Sequence, residues 1–133
     1  MKKVGIWIDH RKAVVVTIDE GLESRQVLES DFERHAGPEG SRRASTPYSP
    51  QVTSMERQIE QRRRLHATRF YKQVIRTIGK ADRLLVLGPA DAKLEFAAQV
   101  EKSVGLKSAR LTVRAADRMS DAQVAARVRK ARF

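Results

Sequence analysis

Apolar residues near the start of the chain form two short runs that predict β-strands. Residues 3–8 (KVGIWI) and 13–18 (AVVVTI) are rich in β-branched residues, and Asp9 to Lys12 is short enough to join them as a tight hairpin. Residues 24–29 (SRQVLE), entered through Gly21, form a weaker third strand. Because these connections are too short for crossovers, we expect an antiparallel meander.

The stretch from Arg57 to Lys80 has the apolar period of an α-helix, but only in its second part. At about 100° per residue, one side gathers Ala67, Phe70, Tyr71, Val74 and Ile78. This apolar side begins only near His66. In the preceding turns it is occupied by charged residues that no core accepts unpaired, namely Glu56, Glu60, Arg63 and Arg64. The helix is therefore predicted to dock through its C-terminal half and to project through its N-terminal half.

The remaining pattern alternates strands and helices. A capping box at Thr53 and Glu56 predicts that the long helix begins at about Ser54, and it should end near Gly79. Two strands, 83–87 (RLLVL) and 109–114 (ARLTVR), and two helices, 90–104 and 121–132, follow. The first of these helices should turn Leu94, Ala97, Ala98 and Val104 inward with Gly105 as its C-cap, and the second should start at a capping box of Ser120 and Gln123.

This order predicts an α/β fold. Three meandering strands followed by right-handed βαβ crossovers give a mixed five-stranded sheet, with the last two strands parallel, and three helices. The 133 residues are enough for one domain with its own core. The stretch 33–53 within it is predicted to be a flexible basic loop, because its prolines, glycines and small polar residues leave little to bury.

The net charge of the chain indicates what kind of partner it binds. The net charge is +11, which favours anionic partners such as nucleic acid. The chain has no cysteine, so disulfides and thiolate chemistry are excluded. No apolar run approaches the ~20 residues of a membrane span, and the run after MKK is too short for a signal peptide. We expect a cytoplasmic protein without membrane contact, and no pattern predicts a metal or other cofactor.

The basic side of the long helix is the strongest candidate site. Arg62, Arg69 and Arg76 share one line, and arginine can grip phosphate bidentately. The alternative is a solvent-exposed helix face whose arginines form intrahelical ion pairs with Glu56 and Glu60. The predicted nucleic-acid-binding residues are Arg42, Arg43, Arg57, Arg62, Arg63, Arg64, Arg69, Lys72 and Arg76. Within the loop, His35, Gly37 and Gly40 are also singled out, against the alternative of a solvated insertion.

Two further features carry candidate chemistry. Asp9 ends the first strand, where an aspartate is commonly a turn residue bonded to its own backbone. Gly88 and Lys93 flank a strand-to-helix turn, where helix N-termini attract anions. Lys93 could instead pair with Asp91 or Glu95.

Three stretches together resemble a family of small bacterial proteins labelled translational machinery components. They are WIDHRKA at 7–13, ADRLLVLGPADAKLEF at 81–96 and the basic C-terminal helix. The family has the ribonuclease-H-like fold of the middle domain of archaeal and eukaryotic class-1 release factors and of Pelota. A turn of Gly-x-Ala-Asp-x-Lys type in that domain is matched by Gly88, Ala90, Asp91 and Lys93. The resemblance implies an RNA or ribosome partner.

One departure from the release factors limits what the resemblance implies. Those proteins carry a Gly-Gly-Gln tripeptide before the long helix, and it promotes peptidyl-tRNA hydrolysis. No such tripeptide occurs in this chain, and residues 35–41 are HAGPEGS. The sequence therefore favours a non-catalytic binding module. Two hypotheses remain beside it. The resemblance to the ribonuclease-H-like fold implies a metal-dependent nuclease, in which Asp9 would bind metal together with Asp91 or Glu60. The other is a protein-interaction module that forms a homodimer through the overhanging helix.

Overall fold

The computed structural model describes residues 1–30 and 50–133, with side chains from Ser54 onward in the second part. The strands are β1 (Lys2–Ile8), β2 (Lys12–Asp19), β3 (Leu22–Glu29), β4 (Arg83–Gly88) and β5 (Arg110–Ala115). In the described part of the chain, the helices are α1 (Pro50–Ile78), α2 (Ala92–Lys102) and α3 (Asp121–Lys130). The predicted order of elements is thus confirmed.

The strands form one mixed sheet in the order β3-β2-β1-β4-β5. Strand β1 pairs antiparallel with β2 and parallel with β4, so that Ile6 lies opposite both Val15 and Val86. Strand β5 extends the parallel part beyond β4, and β3 extends the antiparallel part beyond β2. The meander and the parallel crossovers are as predicted, because the first connections are short and the later ones contain helices.

Helices cover both faces of this sheet. On one face, α1 and α2 pack over Val4, Ile6, Ile8 and their neighbours. On the other, α3 packs over a second cluster that includes Trp7, Leu85 and Leu87. Burial on both faces explains why the central strands are continuous apolar runs.

Two short turns and one glycine set the geometry of the sheet. Asp9 accepts backbone hydrogen bonds from Arg11 and Lys12, both at 2.8 Å, which closes the β1–β2 hairpin. Glu20 and Gly21 both have positive φ, as the favoured two-residue hairpin turn requires. At Gly5, a β-carbon would collide with the Val128 side chain, so the glycine lets α3 lie close to β1.

The long helix begins earlier than predicted. It starts at Pro50, not at Ser54, so Thr53 lies within α1 and the predicted capping box is wrong. Proline is well suited to the first turn of a helix, where its missing N–H costs nothing. The predicted end is confirmed: Gly79 has φ 73° and its N–H donates to the carbonyl of Ile75.

The predicted inward side of α2 is partly wrong. Leu94 is 56% exposed and Val104 is 84% exposed, and Ala98 is exposed as well. The predicted Ala97 is buried, together with Ala92, Phe96 and Val100. The helix ends at Lys102 with Ser103 as its C-cap, so Gly105 does not cap it. The core selects the side that carries Phe96, the largest apolar residue of the helix.

The last helix is close to its prediction. Ser120 accepts from the N–H of Gln123 at 3.2 Å, and the Gln123 side chain accepts from the N–H of Ser120 at 2.8 Å. This confirms the capping box. The helix ends at Lys130 because Ala131 adopts an extended backbone.

Candidate functional site

The C-terminal half of α1 is embedded in the core. Phe70, Tyr71, Val74 and Ile78 are buried, as the periodicity predicts. The Tyr71 ring meets Phe96 of α2 edge-on, with ring centroids 6.0 Å apart. This half of the helix is therefore held by apolar packing on the sheet and on α2.

The N-terminal half of α1 leaves the core. The charged residues Glu56, Glu60, Arg63 and Arg64 are all exposed, in agreement with the sequence analysis. Two of its large apolar residues are open to solvent, with Met55 41% and Leu65 57% exposed. This part of the helix presents side chains to the surroundings and gives little to the core.

The predicted basic residues of α1 are all on the surface. Within the described part of the chain, five of them have side chains that form no ion pair or hydrogen bond: Arg57, Arg62, Arg69, Lys72 and Arg76. Arg64 lies 3.6 Å from Glu60 one turn earlier, with both side chains largely exposed. The intrahelical pairing that would neutralise this surface is thus limited, and most of its positive charge is available to a ligand.

A cleft of about 450 Å³ opens between α1, the β1–β2 turn and α2. Its lining includes Glu60, Arg63 and Arg64 from α1, His10 from the turn and Glu95 from α2. Charged groups of both signs thus meet where the projecting half of α1 begins to leave the core.

A polar cluster that the sequence analysis did not predict borders this cleft. The Tyr71 hydroxyl donates to Glu95 Oε1 at 2.7 Å, and His10 Nε2 lies 3.4 Å from the same oxygen. Burial raises the pKa of the Tyr71 phenol, and the hydrogen bond to Glu95 raises it further, so Tyr71 remains a donor. In the sequence, the one sign of this cluster was a tyrosine on the core-facing side of the helix, because a buried hydroxyl needs a hydrogen-bond partner.

Asp9 has a structural role in the turn. One of its carboxylate oxygens accepts both backbone hydrogen bonds of the hairpin. Asp91 stands before α2, where its carbonyl accepts from Leu94 and Glu95 and its side chain makes no cap. Among the described residues, no three His, Asp or Glu side chains are grouped so that they could hold a metal. Asp9, Asp91 and Glu60 are therefore not brought together in the way the nuclease hypothesis needs.

The Gly88–Lys93 turn is built by packing. Gly88 is buried, and a β-carbon there would collide with the carbonyl oxygen of Ile8. Its own carbonyl accepts from Ala116 at 2.9 Å, which joins the turn to the end of β5. The Lys93 ammonium donates to the carbonyl of Ala90, not to Asp91 or Glu95. The Lys93 ammonium therefore makes a hydrogen bond within the turn itself.

Arg42, Arg43, His35, Gly37 and Gly40 lie outside the described residues. Among the described residues, no helix combines the length and the apolar character that crossing a bilayer demands.

Comparison with solved structures identifies the class of fold. The Pelota protein of Thermoplasma acidophilum matches 98% of this chain with a TM-score of 0.53 and 14% sequence identity. This confirms the predicted Pelota-like α/β fold, with a mixed five-stranded sheet. The match covers only 33% of Pelota, so the chain spans about a third of that protein's length.

A second similar structure is an archaeal translation termination factor. It matches 94% of this chain and 37% of its own length, with 16% identity and a TM-score of 0.44. No model of a known protein family matches the sequence, and no curated protein matches it either. The comparisons therefore establish a fold, and function has to be argued from the surface.

Proposed function

We propose that this protein is a non-catalytic, translation-related binding module of the cytoplasm that contacts folded RNA, in or near the ribosome, through the basic side of α1. The observation that carries the proposal is the set of cations on α1 whose side chains form no ion pair or hydrogen bond with any described residue: Arg57, Arg62, Arg69, Lys72 and Arg76. Half of the helix stands away from the core, so it can reach a groove or a phosphate ridge without moving the sheet.

The chemistry of these side chains favours a phosphate backbone. Guanidinium groups bind phosphate bidentately and stay charged at every physiological pH. Phe70 and Tyr71, the aromatic residues of the docked half, are buried and unavailable for stacking on bases. Recognition by shape and backbone, as in folded RNA, fits this composition better than recognition of unpaired bases.

Two further observations support a role in translation. The chain shares its fold with Pelota, and its sequence resembles the translational machinery components. The absence of a Gly-Gly-Gln tripeptide from the sequence supports binding without peptide release. Arg42 and Arg43, which lie outside the described residues, stay predicted RNA-binding residues on the basis of the sequence.

The first test is sedimentation of the tagged protein with ribosomes at low and moderate salt. Co-sedimentation that weakens with salt is expected, because released counterions drive binding to phosphates. If the protein stays at the top of the gradient even at low salt, the proposed binding to the ribosome is contradicted.

A matched pair of variants tests the surface itself. Arg62→Gln/Arg69→Gln removes two unpaired cations of α1, whereas Lys102→Gln/Lys107→Gln removes the same charge from exposed positions at and beyond the end of α2. The first variant should lower the slope of log K against log salt by about 2, and the second should leave the slope near that of the parent. Equal losses in both would mean that net charge alone, not α1, directs binding.

The exposed apolar residues of α1 support one second candidate, a homodimer through this helix. Met55 and Leu65 are large and exposed, and a second copy would cover them. Light scattering over a range of protein concentrations decides between the candidates, since a mass that stays that of one chain would rule out the dimer.

A further inference from the structure

The sheet face that carries α3 has a second concentration of positive charge, opposite to α1. Leu85 and Leu87 belong to the cluster under α3, and their partners across the β4–β5 ladder are Thr112 and Arg114. Because side chains of a strand alternate between faces, Arg110 and Arg114 lie on the α3 side of β5. Both are exposed.

The geometry of α3 adds further cations beside these two. Val128 points into the sheet, and Arg129 reaches Glu23 of β3 with 2.6 Å between Nε and Oε1. Residues on either side of Val128 are rotated about 100° in opposite directions. Arg127 is therefore on the flank of α3 that faces away from β3, towards β5.

The segment after α3 continues this flank. Arg114 Nη2 donates to the carbonyl of Arg132 at 3.2 Å, and Arg83 Nη1 donates to the carbonyl of Phe133 at 2.7 Å. Residues 131–133 are thus tied to β4 and β5. The term "α3 strip" denotes the resulting exposed row: Arg110, Arg114, Arg127, Lys130 and Arg132.

The two flanks of α3 differ in how their charge is balanced. On the β3 side, Glu23 lies within 2.6 Å of Arg129 and 3.8 Å of Arg25, and Asp121 lies 4.0 Å from Lys12. In the α3 strip, none of the side chains forms an ion pair with any described residue. Cations that share one side of the sheet and form no ion pair with the described residues repel one another and attract an anionic ligand.

We propose that the α3 strip is a second phosphate-binding surface, and that one molecule holds two RNA segments on opposite faces of its sheet. The cations are spread along a row, which suits the repeated charges of a nucleic-acid backbone better than one small anion. Binding at the strip stands on its own geometry. The bridging of two segments rests, in addition, on the proposed function of α1.

The test uses the full-length protein, a short RNA duplex, and two-site variants with equal loss of charge. Arg127→Gln/Lys130→Gln alters the strip, Arg62→Gln/Arg69→Gln alters α1, and Lys102→Gln/Lys107→Gln is the control. Glutamine keeps helix propensity close to that of arginine and lysine, so the helices should persist. Two duplex pools, one with a donor and one with an acceptor fluorophore, report bridging, and sedimentation gives the number of duplexes per protein.

The parent and the control should bind two duplexes and give energy transfer. The strip variant should bind one duplex and lose the transfer, and the duplex that remains, held at α1, should keep the salt slope of the α1 site. Two duplexes and full transfer in the strip variant would overturn the proposal.

The remaining outcomes separate this proposal from the previous one. One duplex in the parent, sensitive to the α1 change and not to the strip change, would overturn the strip and leave α1 standing. The reverse sensitivity would support the strip and contradict the function proposed for α1. In the α1 variant, displacement of RNA by poly-glutamate at equal charge would overturn the assignment to RNA and point to an acidic polypeptide.

Discussion

The two halves of α1 are one continuous helix with opposite surroundings. The C-terminal half buries Phe70, Tyr71, Val74 and Ile78 against the sheet and α2, whereas the N-terminal half exposes its charged residues and even Leu65. A helix satisfies its backbone hydrogen bonds internally, so it can extend beyond a core that holds only one end. The comparison shows that the core fixes the helix in place, and that the projecting half is free to carry a surface for a partner.

The largest expected difference between the halves is in amide hydrogen exchange. We expect amides near Val74 to open only with global unfolding, and those of residues 56–64 to open by fraying. We expect the second group to exchange at least about a thousandfold faster, since global unfolding of a domain costs about 5–15 kcal/mol. Mass spectrometry of peptides from both halves measures this. Equal protection in both would indicate that the projecting half is covered, for example by a second copy.

A pair of truncations should reproduce the contrast in stability. Phe70→Ala removes a buried ring and should lower the free energy of unfolding by about 3–5 kcal/mol. Leu65→Ala, at an exposed position earlier in the same helix, should change it by no more than about 0.5 kcal/mol. Denaturant titration measures both. A large loss for Leu65→Ala would mean that the projecting half packs against another surface.

The Tyr71 hydroxyl ties the docked half to α2, and its removal should have an intermediate effect. Tyr71→Phe should cost about 1 kcal/mol at neutral pH, because the bond to Glu95 is lost while Glu95 stays half-exposed.

The same variant predicts a pH dependence. The pKa of Tyr71 is raised in the folded protein, whereas the unfolded chain ionises this phenol near its ordinary pKa of about 10. Above pH 10 the unfolded state therefore binds fewer protons, and the parent should lose up to about 1.4 kcal/mol of stability per pH unit relative to Tyr71→Phe. Parallel stability curves for the two proteins above pH 10 would contradict this.

The smallest expected effect is at the exposed ion pair. Glu60→Gln removes the contact with Arg64 on the projecting half, which should lower stability by about 0.2–0.5 kcal/mol. The difference should vanish at high salt, because exposed charges are screened. Thermal unfolding at two salt concentrations measures it. A loss above 1 kcal/mol that survives salt would show that Glu60 has a further role in the cleft.

Sequence patterns predicted the elements well and the contacts between polar groups poorly. The runs in β1 and β2 and the capping box at Ser120 depend on neighbours in the chain, so local chemistry was enough to find them. For α2, the predicted buried side of the helix differs from the observed one. Leu94 is apolar and was expected to face the core, but packing against the sheet buries Phe96 instead. The start of α1 at Pro50 was missed because a plausible capping box stood three residues later.

The candidate site also has features that the sequence predicted and features that it did not. Charge and periodicity predicted that Arg62, Arg69 and the other basic residues of α1 would be exposed. The meeting of His10, Tyr71 and Glu95 was not predictable, because these residues come from three elements that are distant along the chain. The structural role of Gly88 depends on a carbonyl of β1 that no local pattern reveals.

By itself, the sequence determined the order of elements, the mixed character of the sheet, the docked and projecting halves of α1 and the excess of positive charge. These properties follow from side-chain period, short connections and composition, which act over a few residues. Only the tertiary structure decided which cations are neutralised. Arg129 is paired with Glu23, which is far away in sequence, whereas the side chains of the α3 strip form no ion pair with any described residue. Charge balance is decided by distances in space, and those exist only once strands and helices have packed.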